Sequence, residues 1–479
     1  MAKNPWETSR EVVERIFISA KLHLDTPTHI GNGDSDALTD IPLLFDPLDP
    51  KRPLLTGSSI AGALRAYLRE YEAGYRQPGH KRLKESALFG YLDGYTASME
   101  SWLMVDDAYG ASPAKGDPVE IRDGVSINAS TRTAEDQKKF DTELLAAGTT
   151  FDLHFELWLP GDKRDQLLAG TAVALRGLEQ GEIGIGMRKR RGFGQCHVEE
   201  WRVARYDMSN PEEIVAWLTH QDGQGQITDD ILAALDIQEV SEHAGRKLSV
   251  DATFALSGSM LIRSDSGEGD APDAVHLRSY RDGDPVPVLS GTSLAGAMRG
   301  RALRITNTLG ISEAIIDSIF GKRIRDARDK PRGSRFIVRE TTINHAIEDR
   351  VQSRVKLDRF TGGAYPQALF SQQPLWARDG RKSIVTIHFE LLQNGEKDFA
   401  PEVGLMLLLL KDLWTGDLPL GGESSVGRGR LQGVSATITL DDNVWIIEAA
   451  EGKKLAFSGI GDPDQLQSDY LDALKELQP

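Results

Sequence analysis

Hydrophobic and polar residues alternate with a period of two in three stretches of the first half of the chain, at residues 16–24, 151–159 and 197–203. That period is typical of strands that are buried on one face. Two stretches with helical character lie between them, one starting near residue 58 and one covering residues 164–179. With the short extended runs around them the order approximates βαββαβ, which predicts an α+β fold of the ferredoxin-like type.

The same pattern occurs twice, which indicates a duplicated domain. The segment LTGSSIAGALRAYLRE, residues 55–70, returns as LSGTSLAGAMRGRALR, residues 289–304, and six of the nine residues 57–65 are identical to residues 291–299. A Phe-Gly pair (89–90 and 320–321), the strands FDLHFEL and VTIHFEL, and a Gly-x-Gly turn (192–194 and 427–429) follow in the same order. We therefore place a first domain at residues 1–206, a helical connector at 207–247, a second domain at 248–447 and a helical tail at 448–479.

Composition supports a folded chain of two or three domains, with 479 residues of which 40% are hydrophobic and 27% charged. No run approaches the roughly 20 apolar residues that span a bilayer, and the segment MAKNPWETSREVVER is charged where a signal peptide would be apolar. We expect a cytoplasmic protein without a membrane partner. Cys196 is the only cysteine, which excludes an intramolecular disulfide and a thiolate-rich zinc site.

The net charge of −16 argues against indiscriminate coating of nucleic acid. The sign reverses locally, because residues 322–335 hold seven Lys or Arg against two Asp, and Met187 is followed by four consecutive basic residues. An acidic chain with basic patches can hold RNA along one path and repel it elsewhere.

The repeated Gly-Ser-Ser loop is the first candidate binding site. A helix start offers free amide groups and a positive dipole end to a phosphate, and Ser and Thr are good capping residues there. The alternative is a plain helix cap whose small residues pack on a sheet. Because the loop occurs twice, we favour contact with a phosphate backbone, through Ser58, Ser59 and Arg65 in the first half and Thr292, Ser293 and Arg299 in the second.

A glycine-rich turn near the end of each half is the second candidate. It reads IGIGMRKRRGFGQ at residues 183–195 and LGGESSVGRGRLQG at residues 420–433. Glycines let a backbone approach a polyanion, and arginines supply charge. Neither turn is a P-loop, since the Gly-Lys-Ser/Thr ending is missing; the alternative is a hairpin with a solvated basic flank. The candidate contacts are Arg188, Lys189, Arg190, Arg191, Arg428 and Arg430.

An acidic loop follows the first strand of each half, with Asp34, Asp36 and Asp40 in one loop and Asp265, Asp270 and Asp273 in the other. Asp40 and Asp273 lie 17 and 18 residues before the glycine of the repeated loop. A carboxylate beside a phosphate-binding surface repels the ligand unless a divalent cation lies between them, which favours a metal-assisted role. The alternative is a turn that uses Asp for local hydrogen bonds.

Long polar insertions in the middle of each half are the last candidates. Residues 126–139 contain Arg132, and residues 354–370 contain Arg359 and Phe360. Such arms can intrude between bases and stack an aromatic ring on them, or they can be loops of no consequence. Histidines 23, 29, 276, 345 and 388 lack ligand spacing, so we expect no histidine-based metal or acid–base site.

Taken together, the motifs resemble the RAMP superfamily of CRISPR-associated proteins, specifically the repeated backbone subunit of type III effector complexes. The resemblance rests on HIG-x-G, D-x-P, GSS-x-x-G-x-x-R, FG and the glycine-rich turn in the first half. In the second half it rests on PDA, GTS-x-x-G-x-x-R, FG, DRFTGGA and GGESSVGRGR. It implies two tandem ferredoxin-like (RRM-type) domains with inserted loops or thumbs. The expected partners are a CRISPR RNA, a target RNA and other RAMP-type subunits, in antiviral defence.

The resemblance also implies an endoribonuclease, because in such proteins a loop aspartate cuts the target RNA with a divalent metal. Carried over, the catalytic candidates are Asp34, Asp36, Asp40 and Asp273; Asp40 and Asp273 would also hold Mg²⁺. Asp40 precedes Ile-Pro, whereas the proline near Asp273 comes before it, as Pro272. Two alternatives stay open: a non-catalytic scaffold that binds guide RNA, and a metabolic phosphate-binding enzyme, which the missing nucleotide fingerprints disfavour.

Overall fold

The computed structural model describes residues 11–32, 42–77, 84–93, 97–128, 131, 133–219, 225–240, 243–264, 271–322, 332–378, 383–395, 398–450 and 455–478. Six of the candidate residues lie outside these ranges: Asp34, Asp36, Asp40, Arg132, Asp265 and Asp270.

The first half contains both strands and helices, as the pattern predicts. They are β1 (Glu14–Leu24), β2 (Phe45–Asp46), β3 (Asp49–Leu55), α1 (Gly57–Ala73), α2 (Lys84–Phe89), β4 (Tyr91–Asp93), β5 (Ala97–Met99), β6 (Leu103–Val105), β7 (Ala108–Ala111), β8 (Val119–Ile127), β9 (Ala134–Leu145), β10 (Thr150–Leu159), α3 (Arg164–Glu179), β11 (Arg191–Gly192), β12 (Cys196–Asp207), α4 (Pro211–Leu218) and α5 (Ile231–Ala234).

The second half repeats this order and adds strands and short helices at its end. Its elements are β13 (Lys247–Ser257), β14 (Ser259–Met260), β15 (Arg263–Ser264), β16 (Ala274–His276), β17 (Arg278–Arg281), β18 (Asp284–Leu289), α6 (Gly291–Leu309), α7 (Ala314–Phe320), β19 (Phe336–Arg339), β20 (Thr341–Asn344), β21 (Gln352–Leu357), β22 (Ala364–Gln373), β23 (Leu375–Trp376), β24 (Ile384–Leu392), α8 (Ala400–Trp414), β25 (Arg430–Leu440), β26 (Asn443–Ala449), β27 (Leu455–Gly459), α9 (Pro463–Gln465) and α10 (Asp472–Lys475). A π-helical segment, Leu466–Leu471, joins the last two helices.

The first sheet has the strand order β12-β1-β10, followed by β6 and β7 and then by β3 and β2. Strand β1 is antiparallel to both β10 and β12, with Ile18 opposite Phe155 and Val203. Alternate residues of β1 are buried, including Ile16, Ile18 and Leu22, and pack with one face of α1 and with α3 in one hydrophobic core. The three predicted strands and the helix at 164–179 are confirmed.

The second sheet repeats this arrangement, because β13 lies between β24 and β25 as β1 lies between β10 and β12. It has its own hydrophobic core, which includes Tyr470 and Leu474 of the tail. The tail differs in part from the helical tail predicted at residues 448–479, since β27 precedes the helical residues and pairs with β26. A helix prediction is made from local spacing, whereas this strand owes its conformation to the sheet edge beside it.

The two halves are joined by a strand pair and by a buried ion cluster. Strand β11 of the first half pairs in parallel with β19 of the second, with Arg191 opposite Val338. Nearby, Arg122 Nη1 of β8 lies 3.0 Å from Glu340 Oε2, and Arg281 Nη2 lies 2.9 Å from Glu340 Oε1. Burial would raise the pKa of Glu340, but the two arginines hold it below its usual range. The interface therefore contains a matched buried charge cluster.

Each half also carries a long hairpin, β8–β9 in the first and β21–β22 in the second, at the place of the predicted insertions. The connector forms α4 and α5, and Ile231 and Leu235 complete the first core. Across the described residues, no helix has both the length and the apolar character that a bilayer crossing requires.

Candidate nucleic-acid interface

Helix α1 and its counterpart α6 start one position earlier than the repeated serines suggest. Thr56 caps α1, because its side chain accepts a hydrogen bond from the amide of Ser59, and Ser290 caps α6 in the same way. The cap is therefore the residue before each glycine, and it takes up one of the free amides of the first turn. Ser58 and Ser59 lie within the first turn of α1 and are exposed. Thr292 and Ser293 are half-buried at the corresponding positions of α6.

The repeated arginines of these helices hold the Phe-Gly corners. Arg65 Nη2 donates to the carbonyl oxygen of Gly90 at 3.1 Å, and Arg299 Nη1 donates to that of Gly321 at 2.8 Å. Arg65 also forms an ion pair with Glu85, whose side chain is fully buried. Two motifs that are about 25 residues apart in sequence are thus one structural unit, and phosphate contact by Arg65 and Arg299 stays a prediction.

A cavity of about 380 Å³ lies where three of the repeated motifs of the first half meet. Its walls include His29 and Gly31 at the end of the first strand region, Ser59 of α1, and Gly186 and Lys189 of the glycine-rich turn. The sequence placed Ser59 and Lys189 on separate motifs, and the fold brings them to one opening. Burial lowers the pKa of Lys189, and the neighbouring charge of Arg190 lowers it further.

His29 is a potential ligand-binding residue that the sequence did not identify. Its Nδ1 lies 2.8 Å from the carbonyl oxygen of Glu143, while its Nε2 is buried and has no hydrogen-bond partner among the described residues. The side chain is 1% exposed and lines the cavity. A buried ring nitrogen without a partner favours a bound polar group at this place. The spacing of the histidines did not indicate this role for His29, whereas its position in the HIG motif is a signal that could have done so.

The four basic residues of the first turn have different environments. Lys189 lines the cavity. Arg188 lies over the Phe140 ring at 4.7 Å from its centroid, and Arg190 donates to the carbonyl oxygen of Ser334 in the second half. The Arg191 side chain is exposed. Lys189 and Arg191 are thus the members of this run that contact neither the hairpin ring nor the Ser334 carbonyl.

The turn of the second half repeats the glycines of the first but not its charges. Gly421, Glu423, Gly427 and Gly429 have positive φ angles, as do Gly186, Arg188, Gly192 and Gly194. In this alignment the basic run 188–191 corresponds to residues 423–426, Glu-Ser-Ser-Val. The Arg428 guanidinium, which is 3% exposed, lies 3.2 Å from Glu423 Oε2, whereas Arg430 is exposed at the start of β25.

Asp273 is the described member of the acidic candidates, and it lies beside the hairpin of the second half. Its Oδ2 accepts hydrogen bonds from the backbone amide of Ser371 at 2.7 Å and from the Ser371 hydroxyl at 3.1 Å. These hydrogen bonds hold the pKa of Asp273 below its usual range, so the exposed side chain is a carboxylate at neutral pH. No group of three or more acidic, histidine or cysteine side chains suited to a metal occurs within the described ranges.

Phe360 and Arg359 lie at the tip of the β21–β22 hairpin. The Phe360 side chain is 98% exposed, and the tip is closed by hydrogen bonds from Phe360 and Thr361 to Asp358. An aromatic ring held in solvent by a closed turn is available for stacking on a base.

A family model described as the RAMP superfamily matches residues 21–197 and 267–432, once in each half. No curated protein matches the chain significantly.

Proposed function

Because the chain belongs to the RAMP superfamily, whose members are RNA-binding subunits of CRISPR-associated complexes, we propose that it is a guide-binding backbone subunit of a type III effector complex. It acts in the cytoplasm with other RAMP-type subunits and pairs its CRISPR RNA with a target RNA. Each half has a ferredoxin-like core, which the strand order β12-β1-β10-β6 and the packing of α1 and α3 support. We propose that the first domain ends at residue 206, the connector at residue 247 and the second domain at residue 447.

The observation that carries this proposal is the cavity lined by His29, Ser59 and Lys189. Because His29 Nδ1 donates to the Glu143 carbonyl oxygen, Nε2 of the neutral ring is an acceptor suited to a ribose 2′-hydroxyl. The Ser59 hydroxyl and the Lys189 ammonium group at the same opening suit a phosphate of a single strand. The basic residues of the two glycine-rich turns and the hydroxyl residues at the start of α6 would make further contacts along the guide RNA backbone. The exposed Phe360 would stack on a base of the duplex or its displaced nucleotide.

Replacement of Lys189 tests guide binding. We expect Lys189→Ala to weaken binding of single-stranded RNA and to reduce the slope of log affinity against log salt by about 0.7, the value for one phosphate contact to a single strand. Lys475→Ala is the matched control, because it removes the same charge from the exposed tail helix α10. Equal affinity and salt slope for the Lys189 variant and the control would contradict the proposal.

We propose further that this subunit cleaves the target RNA. The target strand would be held so that a 2′-hydroxyl oxygen attacks the adjacent phosphorus, forming a 2′,3′-cyclic phosphate while the bond to the 5′-oxygen breaks. Asp40 or Asp273 would accept a hydrogen bond from the 2′-hydroxyl and take up its proton, and the leaving 5′-oxygen would take a proton from water. Mg²⁺, when bound, would neutralise charge on the phosphate. Among the described residues, the hydrogen bonds to the Asp273 carboxylate are made to Oδ2. The other oxygen suits Mg²⁺, which usually keeps several waters and binds through one or two carboxylates plus phosphate.

The cleavage proposal is tested on the assembled complex with labelled target RNA and Mg²⁺. Asp40→Ala and Asp273→Ala should each remove one cut while guide binding stays unchanged. Ser371→Ala is the control for Asp273, since it removes the hydroxyl donor and keeps the carboxylate. Unchanged cutting in the Asp40→Ala/Asp273→Ala double variant would contradict the proposal.

A non-catalytic scaffold is the second candidate, and one observation favours it for the second half. Asp273 Oδ2 is already bonded twice to Ser371, as expected of a residue that stabilises the base of a hairpin. A scaffold would bind guide RNA with the same salt dependence and would leave target RNA intact when Mg²⁺ is added.

A further inference from the structure

Three arginines of the second half converge on one glutamate, Glu423. Its carboxylate lies 3.1 Å from both Arg263 Nη2 and Arg354 Nη1, and 3.2 Å from Arg428 Nε. The arginines belong to β15, β21 and the glycine-rich turn, and together they form what we call the arginine site. Among the described residues, no second carboxylate lies within ion-pair distance of them. The cluster therefore has an excess of two positive charges.

The buried ion cluster between the two halves provides a comparison. There two arginines face two glutamates, so the charges are equal in number. Buried charges are costly unless they are paired, and a network that only stabilises the fold is therefore expected to be balanced. An excess of guanidinium groups is instead expected of a site that receives an anion, because arginine recognises phosphate well.

Arg428 shows most directly that the arginine site lacks negative charge. Its side chain is buried, and its Nη1 has no hydrogen-bond partner among the described residues. Burial lowers the pKa of Arg428, and Glu423 offsets this in part, because Arg354 and Arg263 also repel the charged form. One carboxylate is thus too little negative charge for this guanidinium, whereas a single strand of RNA brings several phosphates.

The shape of the arginine site does not depend on Glu423 alone. The side-chain oxygen of Gln352 accepts hydrogen bonds from Arg354 Nη2 at 3.2 Å and from Arg428 Nη2 at 2.6 Å. A neutral amide therefore holds two of the three guanidinium groups when the carboxylate leaves. Burial would raise the pKa of Glu423, but the Gln372 amide and the three arginines hold it below its usual range. Glu423 is thus a carboxylate at neutral pH.

The first half has no equivalent of the arginine site. The repeat aligns Arg263, Arg354 and Arg428 with Gly31, Gly124 and Phe193, in that order. Glu423 aligns with Arg188, so the first half carries its positive charge on the turn and the second half carries it around the turn. Gly31 lines the cavity of the first half. The arginine site therefore lies at the corresponding place of the second half, and there an internal carboxylate fills it.

The turn that carries Glu423 lies on the surface, whereas its counterpart is inserted between β19 and α6. In the inserted turn the Arg190 carbonyl oxygen accepts a hydrogen bond from the Val338 amide at 3.1 Å. In the surface turn a Cβ on Gly427 would meet no described atom within 4 Å, and Val426 is 59% exposed. Glu423 itself has φ 60°, in the left-handed region that is unfavourable for a residue with a side chain. Its ion pairs offset this cost, so their loss favours another conformation of the turn.

We propose that Glu423 is an internal competitor of RNA, which occupies the place of a phosphate in the arginine site and must leave before a single strand can bind there. Arg428 lies beneath Glu423 and becomes accessible only after this exchange. The first half, with Lys189 at its cavity, needs no such exchange, so the second half accepts a strand that the first half already holds. This inference rests on the proposed function and concerns how the same site is regulated.

Removal of the charge of Glu423 tests the competition. Glu423→Gln keeps the size of the side chain and should raise the affinity of the full chain for labelled oligouridine by about fivefold or more. Glu476→Gln is the matched control, because it removes the same charge from the exposed end of the tail helix α10, and it should change the affinity by less than about twofold. In an Arg428→Gln background the gain from Glu423→Gln should disappear. An affinity of Glu423→Gln equal to or below that of the control would overturn the proposal.

Movement of the turn is measured in a chain that keeps Glu423 and all three arginines. A fluorophore attached to Val426→Cys should change its emission when oligouridine binds, because the turn leaves the arginine site. The same change should follow from Glu423→Gln without RNA, which excludes an effect of RNA on the dye. Cys196 is fully buried and gives a low labelling background. An unchanged signal at saturating RNA would overturn the proposal.

Failure of the competition is distinguishable from failure of guide binding. If oligouridine binds with a salt slope that depends on Lys189, and Glu423→Gln binds no better than the control, the competition is overturned and guide binding stands. If oligouridine binds to none of these chains, both are overturned.

Discussion

The two glycine-rich turns of this protein have the same backbone and different surroundings. The first contains four basic residues and contacts its own cavity, its own hairpin and the neighbouring half. The second contains Glu423, which lies 3.1 Å from both Arg263 and Arg354, and it is open where the first is inserted. Duplication thus preserved the positions that need positive φ, while the residues between them diverged according to what each turn contacts.

The largest expected effect concerns the buried arginine of the interface between the halves. Arg122→Ala leaves Glu340 and Glu120 buried with fewer partners, so we expect a loss of about 3–5 kcal/mol in the free energy of unfolding. Gln352→Ala, at the corresponding position of the second hairpin, should cost less than about 1 kcal/mol. Denaturant unfolding of both variants measures the difference. Equal losses would show that the two hairpin bases have similar roles.

The next-largest effect is a dependence of stability on pH, which we expect from a buried histidine of the second half and not from the equivalent position of the first half. His276 is buried, accepts a hydrogen bond from the Ile262 amide through Nδ1, and donates to the Val288 carbonyl oxygen through Nε2, which requires the neutral ring. Burial lowers the pKa of His276 from 6.5 to about 4. The unfolded chain then binds the proton first, so stability falls by up to about 3 kcal/mol as pH drops from about 6.5 to 4.

The first half provides the control for this histidine. Leu44 and Leu277 make the same hydrogen bond to Ile30 and Ile262, so Leu43 lies where His276 lies. We expect His276→Leu to be less stable at neutral pH, because it leaves two backbone groups without partners, and to lose the pH dependence of that window. Unfolding measured at pH 4 to 7 would contradict this if the variant kept the wild-type slope.

A matched glycine pair tests insertion itself. Gly192→Ala and Gly427→Ala both place a side chain at φ near 88°, which costs about 1–2 kcal/mol. The methyl group of the first also collides with the Glu340 amide, and that of the second enters open space. We expect Gly192→Ala to be the more destabilising by about 1–3 kcal/mol. Equal melting temperatures would mean that β11 is not held against β19 in solution.

The smallest effect concerns charge at equivalent places in the two turns. Lys189→Ala should lower affinity for single-stranded RNA by about 1 kcal/mol or less, whereas Ser424→Ala should leave it nearly unchanged. Titrations at two salt concentrations distinguish these cases. A larger effect from Ser424 would place the main RNA contact on the second turn.

Local sequence patterns predicted the elements that are governed by local spacing. The period-two strands and the helix at 164–179 follow from alternation and helical periodicity, and the duplication follows from fixed offsets. The role of Arg65 did not follow, because its partners Glu85 and Gly90 approach only when α1 and α2 pack together. His29 was missed for the same reason: its cavity is built from three motifs that are more than 25 residues apart in sequence.

The pairing of β11 with β19 also bears on why the halves share one chain. A second half made alone would expose the outer edge of β19, and an uncovered strand edge is a template for aggregation. In the intact polypeptide the covering strand is synthesised before β19, so the edge is protected as soon as it forms. Fusion of the two halves thus protects the second half from aggregation while it folds.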